Sequence, residues 1–130
     1  MTDHKMSVPE ILRKAAEVML TGGYVKGIRE AAGAHCALGA IDKVTGRGSY
    51  SGVNEHIVKA LSDMLPEKLG GDPYNYRIGE PENVYARVAT WNNMHCNSAE
   101  DVACVMRATA EYLEEEEEAS KTQTLNTKVG

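Results

Sequence analysis

The chain has 130 residues and a net charge of −5, with no Phe, one Trp and 12 Gly. This length favours a single domain, and the composition favours a core of small side chains in which helices approach closely. No run approaches the roughly 20 apolar residues of a membrane helix, and the first residues lack the apolar core of a secretion signal. Residues 114–130 carry −3 of the charge, so the body is only mildly acidic. An acidic body disfavours general nucleic-acid binding.

The first predicted helix begins at Ser7 and ends at the glycine pair Gly22-Gly23. A serine can accept hydrogen bonds from the free N–H groups of a first turn, and glycine adopts the left-handed conformation common at helix ends. One face of this helix is apolar at helical spacing, which predicts that it is buried. That face comprises Val8, Ile11, Leu12, Ala15, Ala16 and Met19. Residues 1–6 are predicted to be a flexible N-terminus.

The segment that follows has two interpretations. Residues 24–28 are short and partly apolar, and residues 30–33 resemble a turn. The segment is either one strand of a short β-hairpin near residues 24–34 or a buried irregular connection.

A second helix is predicted over residues 34–45, and Gly46 is predicted to end it. One of its faces contains only small side chains, those of Cys36, Gly39 and Ala40. Because an inward glycine lowers helix stability by about 1 kcal/mol relative to alanine, its presence indicates close contact with another helix.

A third helix is predicted over residues 53–64. Its apolar side chains recur at helical spacing: Val53, Ile57, Ala60, Leu61 and Met64. The intervening polar side chains are predicted to face water: Asn54, Glu55, Lys59, Ser62 and Asp63. Residues 67–81 form the longest predicted irregular stretch, and loops of this length are often functional or mobile.

A fourth helix is predicted from residue 81 or 82 to Asn92, with Val84, Val88 and Trp91 on one face. Trp91 is the chain's only tryptophan and is predicted to anchor the core. Asn92 and Asn93 are predicted to end the helix, since asparagine tolerates left-handed geometry and caps backbone groups.

A fifth helix is predicted to begin at Ser98, with acids in its first turn, where the helix dipole favours negative charge. Its predicted inner face comprises Ala99, Val102, Ala103, Val105, Met106, Thr109, Ala110 and Leu113. Cys104 lies on the opposite face and is predicted to be exposed. The five glutamates at positions 114–118 repel one another near a helix C-terminus, so the helix is predicted to fray there. Residues 119–130 are predicted to be a disordered tail.

These elements predict a mainly α protein, a compact bundle of about five helices with an optional short β-hairpin near residues 24–34. Residues 7–118 form the single predicted domain. Three cysteines without framework spacing indicate free thiols and a cytoplasmic location.

Two blocks of sequence together resemble a known family. The first is Gly23-Tyr24-Val25-Lys26-Gly27, followed by Cys36-Ala37-Leu38-Gly39-Ala40-Ile41. The second is Val88-Ala89-Thr90-Trp91-Asn92-Asn93, followed by a helix that opens Ser98-Ala99-Glu100-Asp101-Val102. The chain resembles small uncharacterised proteins, a domain of unknown function, from actinobacteria and their phages, over about residues 8–113. Asn93 stands where the family pattern often has Asp. The resemblance implies a shared fold and a phage or actinobacterial origin, and no reaction.

The histidines and cysteines suggest two kinds of site. Imidazole and thiolate bind zinc, but neither CxxC nor HxxxH occurs, so no metal and no cofactor are expected. The residues considered for such a site are His35, Cys36, His56, His95, Cys96 and Cys104. Alternatively, Cys36 could be a nucleophile near a helix start, with His95 as its base and Asn92 or Asn93 orienting the imidazole.

The functional hypothesis is a non-enzymatic, phage-type accessory protein that binds a bacterial host protein in the host cytoplasm or forms a homo-oligomer. The alternative is a small-molecule-binding protein or a Cys/His-dependent enzyme. Its pocket would be lined by Cys36, Trp91, Asn92, Asn93 and His95. No membrane association is expected.

Overall fold

The computed structural model describes residues 6–26, 30–46, 52–70 and 83–129, with the side chains of these ranges except at residues 30, 52, 53 and 121–129. Five helices and a two-stranded sheet lie within these ranges, and the protein is mainly α, as predicted. The elements are α1 Val8–Gly22, β1 Glu30–Ala31, β2 Ala34–His35, α2 Ala37–Thr45, α3 Gly52–Ser62, α4 Val84–Met94 and α5 Ala99–Val129. Most of the predicted N-terminus and of the predicted 67–81 loop lies outside the described residues.

Helix α1 lies at the centre of the bundle and packs mainly against α5 and α2. The Ser7 hydroxyl accepts a hydrogen bond from the Glu10 backbone N–H at 3.2 Å, which confirms the predicted cap. Gly23 ends the helix with φ +100°, a conformation that favours glycine. Five members of the predicted apolar face are buried: Ile11, Leu12, Ala15, Ala16 and Met19.

The predicted hairpin exists, but it is shorter and later than residues 24–34. Strand β1 pairs antiparallel with β2 across a turn in which Ala32 and Gly33 have φ of +51° and +88°. Two consecutive positive φ values are typical of tight hairpin turns. Tyr24 forms an additional isolated bridge with His35. Helix α2 therefore begins after the hairpin, and the prediction that residues 34–36 are helical is wrong.

The interface between α2, α3 and α4 contains buried polar side chains that the sequence placed in water. Asn54 and Ser62 are 0% and 3% exposed. The Asn54 amide donates to the Asp42 carboxylate at 2.9 Å, and the Ser62 hydroxyl accepts from Arg87 Nε at 2.8 Å. Polar partners on neighbouring helices make this burial favourable, and helical spacing alone could not show those partners. The other three positions predicted to face water, Glu55 and Lys59 in α3 and Asp63 just after it, are exposed as predicted.

Helix α4 continues past the point at which it was predicted to end. Asn92 and Asn93 lie inside the helix and are buried, and His95 is the C-terminal cap residue, whose N–H donates to the Trp91 carbonyl at 2.9 Å. The N-terminal cap is Asn83, whose side chain accepts from two backbone N–H groups of the first turn. Trp91 is 5% exposed and belongs to the core, as predicted.

Helix α5 begins with a reciprocal cap. The Ser98 hydroxyl accepts from the Asp101 N–H at 3.2 Å, and the Asp101 carboxylate accepts from the Asn97 N–H at 2.8 Å. The helix continues through the glutamate run to Val129, and the described side chains from residue 114 onward are exposed. The predicted boundary between a folded domain and a disordered tail at residue 118 stays a prediction. None of the described helices is long and apolar enough to span a lipid bilayer.

Candidate functional site

Asn92 is the polar centre of the bundle and is 0% exposed. Its side-chain oxygen accepts from the Ala37 N–H, the first N–H of α2, at 3.1 Å. Its amide nitrogen donates to the Val25 carbonyl at 3.1 Å and to the Asn93 side-chain oxygen at 3.2 Å. One side chain of α4 thus holds both the start of α2 and the segment that follows α1.

Tyr24 ties the same segment to the end of α4. Its hydroxyl donates to the Asn92 carbonyl and lies 2.9 Å from the Cys96 carbonyl. Burial, followed by nearby Cys96, raises the pKa of the Tyr24 phenol above its ordinary value. The phenol therefore stays protonated as a donor at neutral pH. Tyr24 belongs to the first block of the family resemblance, but it was not among the residues of the predicted site, because no local pattern shows that a residue after α1 contacts the end of α4.

Cys36 is the N-terminal cap residue of α2 and is 7% exposed. Its sulfur accepts from the Gly39 N–H at 3.4 Å. The adjacent residue, Ala37, donates its N–H to the Asn92 side chain, and the Asn92 amide in turn bonds to Asn93. In this arrangement the thiol and the Asn92 amide both bind backbone groups of α2. The pocket predicted from Cys36, Trp91, Asn92, Asn93 and His95 stays a prediction.

His95 and Cys96 lie side by side in the chain but in different environments. His95 is exposed, and its Nε2 lies 2.7 Å from the Leu69 carbonyl, which it contacts as an N–H donor. Cys96 is 2% exposed, and burial raises the pKa of its thiol to about 12. Cys96 is therefore a neutral thiol at physiological pH. Cys104 is exposed, as predicted.

The six His and Cys residues of the zinc alternative do not form a recognisable metal site in the described part of the chain. Among the described side chains, no three His, Cys, Asp or Glu residues are grouped so that they could hold a metal ion. Cys36 and Cys96 are buried at the ends of α2 and α4, whereas Cys104 lies on the surface of α5.

Arg87 is a second residue that sequence reasoning missed. Its guanidinium donates to the carbonyls of Ser62, Pro66 and Glu67 at 3.3, 2.9 and 3.0 Å, and to the Ser62 hydroxyl. These carbonyls lie at the C-terminal end of α3 and just beyond it, where helical partners are lacking. A lone arginine in α4 carries no sequence signal for this role.

An open groove is lined by Met6 and by residues of α1, α2 and α5. It has a volume of about 770 Å³. The apolar part of its lining comprises Met6, Val18, Leu20 and Val44, and the polar part comprises Lys14, Glu17, Thr21, Lys43 and Arg107. We call these nine residues the α1 groove. It contains three basic side chains and one acidic side chain, although the whole chain carries −5.

A second concavity adjoins the α1 groove and shares Lys14, Glu17 and Arg107 with it. Its volume is about 490 Å³, and its remaining lining residues are Ser7, Glu10, Arg13 and Glu114. Arg13 and Glu114 form an exposed ion pair at 2.6 Å across it. Three basic and three acidic side chains line this second concavity, so their charges balance. Of the two concavities, only the α1 groove has more basic than acidic lining residues.

Sequence comparison relates the chain to a known protein family. The sequence model of a family of unknown function (DUF6197) matches residues 3–112. The chain belongs to the DUF6197 family. No curated protein and no solved structure matches this chain.

The region that matches DUF6197 includes Asn92 with its hydrogen-bond partners and all nine residues of the α1 groove, and it ends before the glutamate run. The two features differ in what they can do chemically. In this DUF6197 chain the polar atoms of Asn92, Tyr24 and Cys36 bind the backbone and hold three segments together. The α1 groove instead offers the exposed Leu20, three half-buried aliphatic side chains and three exposed cations, which can bind a molecule from outside.

Proposed function

We propose that this chain is a non-enzymatic protein-binding module that binds its partner through the α1 groove. The observation that supports this proposal is the exposed apolar surface in a concavity. Leu20 is 39% exposed and lies beside Met6, Val18 and Val44. A contiguous apolar surface rimmed by polar residues is typical of interaction sites, because burying it in a complex is favourable.

The partner in this proposal is a bacterial host protein, and the module is a phage-type accessory protein in the cytoplasm of the host cell. The resemblance of the Cys36 and Trp91 blocks to proteins of actinobacteria and their phages supports this origin. A second copy of the chain is the other partner to consider, and it would make the protein a homo-oligomer.

The test replaces one exposed apolar side chain in the groove and one outside it. Leu20→Asp places a charge among the apolar groove residues, whereas Met94→Asp places the same charge at the end of α4, on a side chain that is 46% exposed. The immobilised full-length chain is used to capture proteins from an actinobacterial lysate. We expect one captured protein to be lost with Leu20→Asp and retained with Met94→Asp.

Circular dichroism and thermal unfolding of both variants provide the folding control. If both folded variants capture the same protein as the unmodified chain, or if that chain captures nothing, the proposed function is wrong. Light scattering of the unmodified chain shows whether the partner is a second copy.

The alternative function, a small-molecule-binding protein or a Cys/His-dependent enzyme, is supported by the hydrogen bonds that join Asn92 to Asn93 and to Ala37, the residue after Cys36. Against it, Cys36 is 7% exposed and caps α2 with its sulfur. His95 is exposed beside the Leu69 carbonyl. The accessibility of the Cys36 thiol distinguishes this alternative from a protein-binding module.

A further inference from the structure

We propose that the α1 groove binds an amphipathic helix whose polar face is acidic. This inference rests on the proposed function and names the chemistry of the partner segment.

The charge of the groove favours an acidic occupant. Lys14, Lys43 and Arg107 belong to three different helices, α1, α2 and α5, and all three line one concavity. Among the described side chains, the ion pairs are Arg13–Glu114 and Lys59–Asp63, and the three groove cations take part in neither. Among the described residues that line the groove, Glu17 is the only acidic one. A local excess of two positive charges on a chain of net charge −5 attracts and orients an anionic segment.

The apolar lining requires that the occupant also have an apolar face. Met6, Val18, Leu20 and Val44 supply aliphatic surface that a purely charged ligand would leave in contact with water. A helix with apolar residues at positions i, i+3 and i+4 satisfies both requirements, because its apolar side faces the lining while acids on its flanks reach the cations. The flexible Met6 side chain can adapt to such an occupant.

The glutamate run of a second copy is the competing occupant. Residues 114–118 are helical, acidic and exposed. The run contains no apolar side chain, so it would neutralise the cations and leave the aliphatic lining uncovered. An amphipathic segment of another protein is therefore the better complement.

The experiment measures binding of a fluorescein-labelled 18-residue peptide helix, with leucines on one face and glutamates on the other, by fluorescence anisotropy with the full chain. Two control peptides replace all glutamates by lysine or all leucines by alanine. We expect each control peptide to bind at least about tenfold more weakly, since each lacks one of the two required interactions.

Two double variants locate the binding site. Lys14→Glu with Lys43→Glu reverses two groove charges, and Lys26→Glu with Lys68→Glu makes the same charge change at exposed positions outside the groove. We expect the groove variant to weaken binding of the acidic peptide about tenfold and the control variant to change it less than about twofold.

Equal weakening by both double variants, or equal binding of the acidic and basic peptides, would overturn the inference. Self-association that is abolished by Glu115→Lys with Glu117→Lys, together with no peptide binding, would assign the groove to a second copy instead. If the peptide does not bind but Leu20→Asp still abolishes capture of a protein, the proposed function stands and the acidic helix is excluded.

Discussion

Asn92 lies inside α4, yet its side chain is hydrogen-bonded to the backbone of two other segments. Its sequence motif suggested either a helix end or a pocket residue, and both interpretations assumed a local role. The structure instead gives it partners at Ala37 and Val25, 55 and 67 positions away in the chain. Such partners follow from the packing of α4 against the rest of the bundle. These distant hydrogen-bond partners could not be predicted from the spacing of residues in the sequence. The burial of Trp91, next to Asn92 in the chain, could.

Replacing Asn92 should destabilise the whole bundle. Asn92→Ala leaves the buried Ala37 N–H and Val25 carbonyl without this partner, and each such group costs about 1–3 kcal/mol. We expect the free energy of unfolding to fall by about 3 kcal/mol, measured by urea denaturation. Asn97→Ala, at an exposed position, is the matched control and should change it by less than about 0.5 kcal/mol. A similar decrease in the free energy of unfolding for both variants would contradict the role of Asn92 in holding the bundle together.

The three cysteines should differ in reactivity at neutral pH. Cys104 is exposed and should react with a thiol reagent at about the rate of a denatured thiol. Cys36 is buried as a helix cap, and burial raises the pKa of Cys96 to about 12, so both should react much more slowly. Since the Cys96 pKa is raised, the neutral thiol is the form present in the folded protein at neutral pH and well above it.

Mass spectrometry of peptides after timed labelling assigns each rate to a cysteine, and Cys104→Ala removes the fast phase as a control. A Cys36 thiol that reacts faster than the denatured chain would favour the alternative enzyme function over the protein-binding module.

At the scale of the elements, local sequence signals predicted the positions of the helices better than the contacts between them. The cap at Ser7, the left-handed Gly46 and the reciprocal cap of Ser98 were predictable, because each involves residues within four positions. The burial of Asn54 and Ser62 was not, because it depends on Asp42 and Arg87 in other helices. The late start of α2 likewise depends on strand pairing across a turn.

Arg87 provides the test at this scale. Arg87→Ala removes four hydrogen bonds that hold Ser62 and the residues after it, and we expect unfolding to become easier by about 2 kcal/mol. Arg87→Lys should recover less than half of this loss, because a single ammonium group cannot reach three carbonyls and a hydroxyl as a planar guanidinium does.

The control is Arg13→Ala, which removes an arginine from the exposed ion pair with Glu114 and should change the unfolding midpoint much less. If Arg87→Lys is as stable as the unmodified chain, the positive charge alone explains the role of Arg87, and the multiple hydrogen bonds do not.

At the scale of the whole molecule, the side chains that hold the fold together around Asn92 are different from those that line the α1 groove. Asn92 and its hydrogen-bond partners join α2, α4 and the segment after α1. The groove is lined by Met6 and by exposed or half-buried residues of α1, α2 and α5. The sequence could not predict the groove, because its lining comes from positions 6, 14, 17, 18, 20, 21, 43, 44 and 107, which are far apart in the chain. Val18 and Leu20 lie outside the predicted apolar face of α1, and these two apolar residues were the only sequence signal of a second apolar surface on this helix.

The central claim is that the α1 groove, and no other described surface, binds the partner. The most direct measurement is the amount of one captured protein per folded chain for Leu20→Asp and Met94→Asp, compared with the unmodified chain. The account predicts loss of capture with Leu20→Asp and full capture with Met94→Asp. Full capture with Leu20→Asp, or loss only with Met94→Asp, would contradict it.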